Sequence, residues 1–419
     1  MRRTLKLFIL TGCLTLLAAG GSLLAQNEPP KQAAKEASKS FLQGTATSSE
    51  ECGACHQAIY REYATGFGGD INYKEMVYKT KGDKILTMPA ATSATPTAHA
   101  GARTDPFPVH ARDVEAGGKS CNVCHFPKAF NLPDMETLEI GKPEPRPVGE
   151  EAGGVTCASC HLTPEGKIRA PHDVSATAPH ATVVEPRIHT AVMCAYCHAK
   201  GKRVPGMQTN TFYEWREDFH KAQLGSQQCQ DCHMPRTTRK VAEDYDVPAR
   251  PVSRHLWTGG HSEKRVAGAL NVTIVQPSAG KTAFEFHIIN IGTGHSAPSG
   301  SNRRGIYLQA QAVDKAGKVL AEKQWMFAPW YAERPDDKSF LEADKSLPDA
   351  ISASQADAQG PHEAPVKAGE DRVLTWEPGV KGSEFTVKAK LVYDLNRYND
   401  ITFTGDQTIF QTVQMMFKK

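Results

Sequence analysis

Two patterns divide the chain. After about residue 263 apolar and polar positions alternate. Leu270, Val272 and Ile274 alternate with Asn271 and Thr273, and Phe284, Phe286 and Ile288 repeat the pattern. Ile306, Leu308 and Ala310 follow it, and Phe385, Val387, Ala389, Leu391 and Tyr393 stand opposite Thr386, Lys388 and Lys390. A period of two puts successive side chains on opposite faces, so these segments predict half-buried strands. "VDKAGKV" at 313–319 reads as a hairpin turn. With 318–325, 371–377 and 408–416 added, about seven strands emerge, enough for an all-β, immunoglobulin-like sandwich over 263–419. His287, in "FEFHII", faces away from the apolar side of its strand and reads as structural, and His362 reads as exposed. The polar stretch 327–370 interrupts the strands as a long insert, a place for partner contact.

Residues 49–262 show no such order. "HLTPEGKIRAPHDVSATAPHATVVEPRIH" has neither helical nor strand periodicity. Short helices are predicted at 57–64 and 212–222, with loops elsewhere. A segment this poor in apolar runs cannot build a core alone, so something bound must complete it.

The cysteines say what. Apart from Cys13 they form five C-x-x-C pairs, each followed at once by histidine: Cys52, Cys55 and His56; Cys121, Cys124 and His125; Cys157, Cys160 and His161; Cys194, Cys197 and His198; Cys229, Cys232 and His233. Random placement would give roughly 0.01 such matches. Zinc wants four ligands, so pairs would have to combine and one would be left over. A thioredoxin-like motif needs a strand–helix context and does not repeat five times. Covalent haem explains every position: two thiols on one helical turn meet the two vinyl groups, and the next residue offers its imidazole to the iron as proximal ligand. The last four motifs start 36, 37 and 35 residues apart, a quasi-repeat, whereas the first step is 69. That long step suggests a lost sixth unit near residues 85–90.

Five irons with proximal histidines still need a sixth ligand. Eleven histidines remain, enough for bis-histidine ligation throughout. His110, His180, His220, His255 and His295 are the distal candidates, with His99, His172, His189 and His261 in reserve. Met88, Met193 and Met207 are second choices, since thioether ligation would raise the potentials.

"TFYEWREDFHKAQLGSQQCQDCHMP" resembles the multihaem cytochromes c related to the tetrahaem cytochromes of ammonia oxidisers. In that family a Trp, a polar residue and a His precede C-x-x-C-H-M-P. Trp215, Asp218 and His220 match it, with Asp218 standing where serine is usual. "RHLWTGGHS" and "GTGHSAPSG" are similar to further pieces of the group, which implies His255 and His295 as distal ligands. The resemblance covers about residues 49–300. The chain departs from it after the first motif, where "CHQAIYREYATGFGGD" offers Tyr60 and Tyr63 but no histidine. A distal ligand must then come from elsewhere, or one iron stays open and Tyr60, Arg61, Tyr63 and Arg103 would line its pocket.

The expected organisation is multidomain: a signal peptide at 1–25, a flexible linker at 26–48, an α/irregular pentahaem c-type cytochrome domain at 49–262 and the β-sandwich. The basic start and uncharged run to Ala25 read as a secretory signal, with an uncleaved anchor or a lipid on Cys13 as rivals. The expected address is periplasmic, secreted or cell surface. Removing residues 1–25 takes away Arg2, Arg3 and Lys6, which cancels the formal charge of +3. Haem propionates would then make the protein acidic, and no basic block points to nucleic acid. Closely spaced, coordinatively saturated haems imply an electron carrier with redox proteins, or an extracellular acceptor, as partners. Two other readings stand beside it: a haem-dependent oxidoreductase with one open iron acting on a small nitrogen compound, and a homo-oligomer or filament.

Overall fold

The computed structural model describes residues 49–65, 124, 127–136, 155–199, 211–260, 262–278, 280–300, 304–328, 363–381, 384–394 and 407–418. The expectations for residues 1–48, the sixth unit, Cys121, His125, His99, His110, His261 and most of the insert lie outside the described residues.

In the cysteine-bearing half, four short strands appear where loops were expected. β1 (Ile168–Ala170) pairs in parallel with β2 (Thr182–Val184), and β3 (Arg236–Arg239) pairs antiparallel with β4 (Arg250–Ser253). Runs of three or four residues are too short to carry a visible period, which is why the sequence hid them. Around them lie short helices at Ser49–Gly53, Gln57–Thr65, Cys157–His161, Val192–His198, Thr211–Glu214 and Cys229–His233. The predicted helix at 212–222 is instead one α turn followed by a π turn over Trp215–His220, closed by the Lys221 amide on the Arg216 carbonyl. Such wide turns are rare and cluster at functional sites.

Apolar packing here comes in small pieces. Phe130 stacks on Tyr196 at 3.7 Å beside Leu132 and Val192, and Phe212 and Trp215 pack on Ala191, Ala195 and Ala199. Between these pieces lies a cavity of about 1400 Å³, larger than the ~300–1,000 Å³ of ordinary small-molecule pockets.

The second half is built from β5 (Asn271–Val275), β6 (Phe284–Ile289), β7 (Gly305–Val313), β8 (Val319–Phe327), β9 (Asp371–Trp376), β10 (Glu384–Asp394) and β11 (Gln407–Lys418). They form a three-stranded sheet in the order β5-β6-β9 and a four-stranded sheet in the order β11-β10-β7-β8, with every pairing antiparallel. Both sheets bury one face in the same core, as the alternation predicted. Phe284 of the first sheet meets Phe385 and Phe417 of the second at 5.9 and 6.0 Å between ring centres, edge to face. Each fully buried ring contributes about 1.5–3 kcal/mol. Val366 and Ala368, near the end of the polar insert, are buried too, and Ala297 bridges to Val366. His287 lies on the outer face, where its Nδ1 is 2.8 Å from Asp371 Oδ2.

The two halves meet at the loop between β6 and β7. Gly294 comes close to Phe219 and Trp215, and a Cβ on Gly292 would strike the Gly268 carbonyl at 1.8 Å. Glycine at 292 is therefore a requirement of close approach. The Ser299 hydroxyl donates to Glu214 Oε2 at 2.6 Å and pairs with the Thr211 hydroxyl at 2.7 Å. No helix among the described residues is long and apolar enough to cross a membrane.

Candidate metal centres

The third and fifth motifs each open a helical turn, Cys157–His161 and Cys229–His233, and the chain caps these turns with care. Thr156 and Ser159 form a reciprocal capping box before Cys157, and before Cys229 the Asp231 carboxylate accepts the Gln228 amide at 2.8 Å. Gln57–Thr65 is capped from a distance: both oxygens of Glu243 accept the Gln57 and Ala58 amides, at 3.1 and 2.8 Å. The motif interiors tie the turns together. Gln228 Oε1 accepts the Ala191 amide at 2.9 Å, and Gln230 donates to the Ile188 and Thr190 carbonyls. Arg169, almost fully buried, donates to the carbonyls of Cys160 at 2.9 Å and Leu162 at 2.8 Å, and to that of Phe130. It thereby satisfies the carbonyl end of the Cys157–His161 turn, where a cation is favoured.

All nine described motif cysteines are free of disulfides, and all nine line the one large cavity with His56, His161, His198 and His233. Burial, aided by neighbouring Cys157 and opposed by Arg169, pushes the Cys160 thiol up to about 12. A hydrogen bond with Cys229, then burial, pushes Cys194 well up. That hydrogen bond also places the fourth and fifth motifs side by side.

The histidines meet across the cavity in pairs that no local spacing announces. His56 faces His180 with ring centres 6.5 Å apart, His161 faces His255 at 6.0 Å, and His233 faces His295 at 6.2 Å. An ion bonded at about 2.0 Å to two opposed imidazole nitrogens, each ~1.1 Å from its ring centre, sets those centres ~6.2 Å apart. The ring planes differ by 57°, 31° and 14°.

In four of these six rings the second nitrogen is already committed. Nδ1 of His56 donates to the Val241 carbonyl at 2.7 Å, that of His233 to Thr258 at 2.6 Å, that of His255 to Ser253 at 3.0 Å and that of His295 to Ser296 at 2.8 Å. A carbonyl can only accept, so Nδ1 carries the proton and Nε2 keeps its lone pair, the tautomer a metal needs. Charge is suppressed as well. Burial, with its partner His255 and neighbouring His56 adding to it, lowers His161 to about 3. Burial lowers His255 to about 4 against the pull of Glu62, and lowers His233 to about 4 with His295 adding to it. Burial also lowers His180, His189 and His295.

Three distal expectations are thus brought to proximal histidines: His180, His255 and His295. His180 stands opposite the histidine of the first motif, whose own downstream sequence offers no such partner. Tyr63 is buried against Tyr60 and Trp257, with the Trp257 ring edge-on at 6.1 Å, so these tyrosines also pack as ordinary core. His220 rides on the π turn, stacked on Trp215 at 4.9 Å. Its Nδ1 is buried with no hydrogen-bond partner among the described residues. Asp218, the departure from the family pattern, lies 3.5 Å from Lys367. His172 and His189 line the cavity without one of the ring pairings above, and His198 acts electrostatically on His295.

Several functional residues escaped the sequence reading. Asn290, fully buried, donates to the carbonyls of His295 and Val366 at 2.9 Å and accepts from Thr293, which shapes the His295 loop. Glu62, also buried, accepts from Arg239, Arg254 and the His255 amide. Burial works to raise its carboxyl, but Arg239, that amide and Arg254 outweigh it and hold the group below its ordinary value. The carbonyls of Val241, Ser253, Thr258 and Ser296 have no sequence signature at all. Only the "RHLWTGG" stretch hinted at this shell. It contains His255 and the Thr258 carbonyl that accepts from His233 Nδ1.

For the first, third and fifth motifs the donor set therefore offers two imidazoles and two thiols. No group of three or more His, Cys, Asp or Glu among the described residues is arranged to hold a metal ion by side chains alone. An iron with its own equatorial macrocycle fits these residues. No protein-family description matches the sequence, and no curated protein matches it. The chain is similar to a penta-heme cytochrome c552 from Thermochromatium tepidum, with TM-score 0.45 and 19% identity over 88% of this chain and 99% of that one. It is also similar to a glycosyl hydrolase family 2 member from Bacteroides cellulosilyticus DSM 14838, with TM-score 0.16 and 11% identity over 36% of this chain and 15% of that one. A beta-glucuronidase from glycoside hydrolase family 2 gives TM-score 0.15 and 10% identity over 36% and 11%. Likenesses this low fix no fold, so the functional reading rests on the chain's own residues.

Proposed function

We propose that the chain is an electron-transfer multihaem c-type cytochrome with five covalently attached haems and bis-histidine ligation. The observation that carries this reading is the set of three ring pairs at 6.0–6.5 Å, each joining a motif histidine to a remote one. Bound haem supplies reversible one-electron exchange between ferric and ferrous iron. Cysteine sulfurs fix each group covalently. His56 with His180, His161 with His255 and His233 with His295 would each hold an iron between them, which would leave no place for a substrate at those three centres. Carbonyls lock four of the six rings through Nδ1, which favours the same ligand geometry in both oxidation states and a small reorganisation.

The centres are read as lying close enough to exchange electrons. His56 acts electrostatically on both His161 and His255, which sets the first and third centres together. Cys194 and Cys229 lie within hydrogen-bond distance, which supports reading the fourth centre as beside the fifth. The C-terminal half is read as an immunoglobulin-like sandwich that lends the fifth centre its ligand, His295, and keeps that centre covered. The partners are redox proteins met outside the cytoplasm, consistent with the basic, then uncharged, leader.

Native mass spectrometry combined with electron paramagnetic resonance tests the proposal. Five haem additions, only low-spin ferric signals and potentials below those of His/Met cytochromes are expected. A high-spin ferric fraction that binds nitrite or carbon monoxide would replace the carrier reading with the oxidoreductase one.

A further inference from the structure

Glu62 is not explained by its helix. It sits in Gln57–Thr65, the turn that follows the first motif, yet it is 1% exposed and all of its bonds leave the helix. Oε1 accepts from Arg239 Nη1 and Arg254 Nε, both at 2.9 Å, and Oε2 accepts from Arg239 Nη2 at 2.8 Å and the His255 amide at 2.9 Å. Burying a carboxylate and two guanidinium groups is costly, and apolar residues of similar volume often serve stability better. Such a cluster calls for a role that an apolar replacement could not fill.

Its position supplies one. Arg239 ends β3, Arg254 follows β4, and the Arg254 amide donates to the Pro235 carbonyl, so Glu62 ties the hairpin to the helix of the first motif. His255 is then held at three points: its amide by Glu62, its Nδ1 by Ser253, and its ring edge-on to Trp257 at 5.3 Å. Trp257 adopts φ of 44°, a left-handed conformation that a bulky residue takes only when its surroundings impose it. The backbone here is bent to hold the ring. One negative charge faces two positive ones beside the ligand, in an interior that screens charge poorly.

We propose that Glu62 is the positioning residue of the His161–His255 centre, and that its charge, set against Arg239 and Arg254, fixes the reduction potential of that one centre. The inference rests on the haem reading of the motifs. Removing the negative charge leaves two arginines uncompensated and favours ferrous iron. Removing one arginine favours ferric iron.

The test is a potentiometric titration of the holoprotein, resolved by centre, for Glu62→Gln, Glu62→Asp and Arg254→Gln. Glu62→Gln should raise one midpoint by at least a tenfold change in its equilibrium constant, 59 mV for one electron. Arg254→Gln should lower the same midpoint by less, because that side chain is 32% exposed. Glu62→Asp keeps the charge but shortens the reach. It should leave the potential within about threefold (~28 mV) and shift the low-spin signal of that centre, whose ring planes now differ by 31°. If both charge variants leave every midpoint in place, or move all of them the same way, Glu62 is merely structural and the inference falls. Should Glu62→Gln fail to accumulate, the sign of the Arg254→Gln shift decides alone. Native protein lacking haem additions would instead sink the reading of the motifs themselves.

Discussion

Glu214 provides a sharp energetic prediction at the joint between the two halves. Burial raises its carboxyl to about 7, opposed by hydrogen bonds from the Ser299 hydroxyl and the Ser296 amide and aided by nearby Asp218. In the unfolded chain the group releases its proton near 4.5, whereas the folded protein holds that proton until pH about 7. The folded state thus binds more protons between those values. The associated stability is fully present below pH 4.5 and is lost as pH rises through 7. A rise from 4.5 to about 7 corresponds to ~3 kcal/mol. Glu214→Gln removes the ionisation and keeps a carbonyl oxygen for Ser296 and Ser299. Urea denaturation of wild type and variant should be run at pH 5, 6, 7 and 8, with the difference taken so that other titrating groups cancel. Relative to its value at pH 5, that difference should move in favour of the variant, approaching ~3 kcal/mol by pH 8. A difference that is flat with pH, or that moves in favour of wild type as pH rises, refutes the reasoning.

Arg169→Met should cost ~3–5 kcal/mol in denaturant unfolding, since it strands the carbonyls of Cys160, Leu162 and Phe130; a loss under ~1 kcal/mol would mean that water replaces the clamp. Gly292→Ala forces a Cβ against the Gly268 carbonyl and should cost more than Gly317→Ala, which meets only backbone strain at φ of 83° in open space; paired thermal melts compare them. His180→Ala should convert one low-spin ferric signal to high spin, while His287→Gln, altered on the outer face of β6, should leave the spectrum unchanged.

The β half was legible because its alternation is long. Phe385 to Tyr393 repeats the period often enough that pleat geometry alone divides buried from exposed faces, and β10 runs over Glu384–Asp394. The strands at Ile168–Ala170 and Thr182–Val184 were invisible because three residues cannot show a period. The C-x-x-C-H pattern was readable for a related reason: the covalent attachment proposed for it would demand two thiols and an imidazole within one helical turn, a local constraint written in adjacent letters.

What local spacing could not contain is who faces whom. His180 and His56 are separated by more than a hundred residues, and the ring pair exists only because β1, β2 and the first motif's helix close on one cavity. The same holds for Glu62, whose partners lie on a distant hairpin, and for the carbonyls of Val241, Ser253, Thr258 and Ser296, which any residue type could have supplied. Chemistry confined to one turn is spelled by neighbours in the chain. A sixth ligand, its tautomer and its electrostatic surroundings depend on direction and distance in space, and those come into being only when the chain has folded.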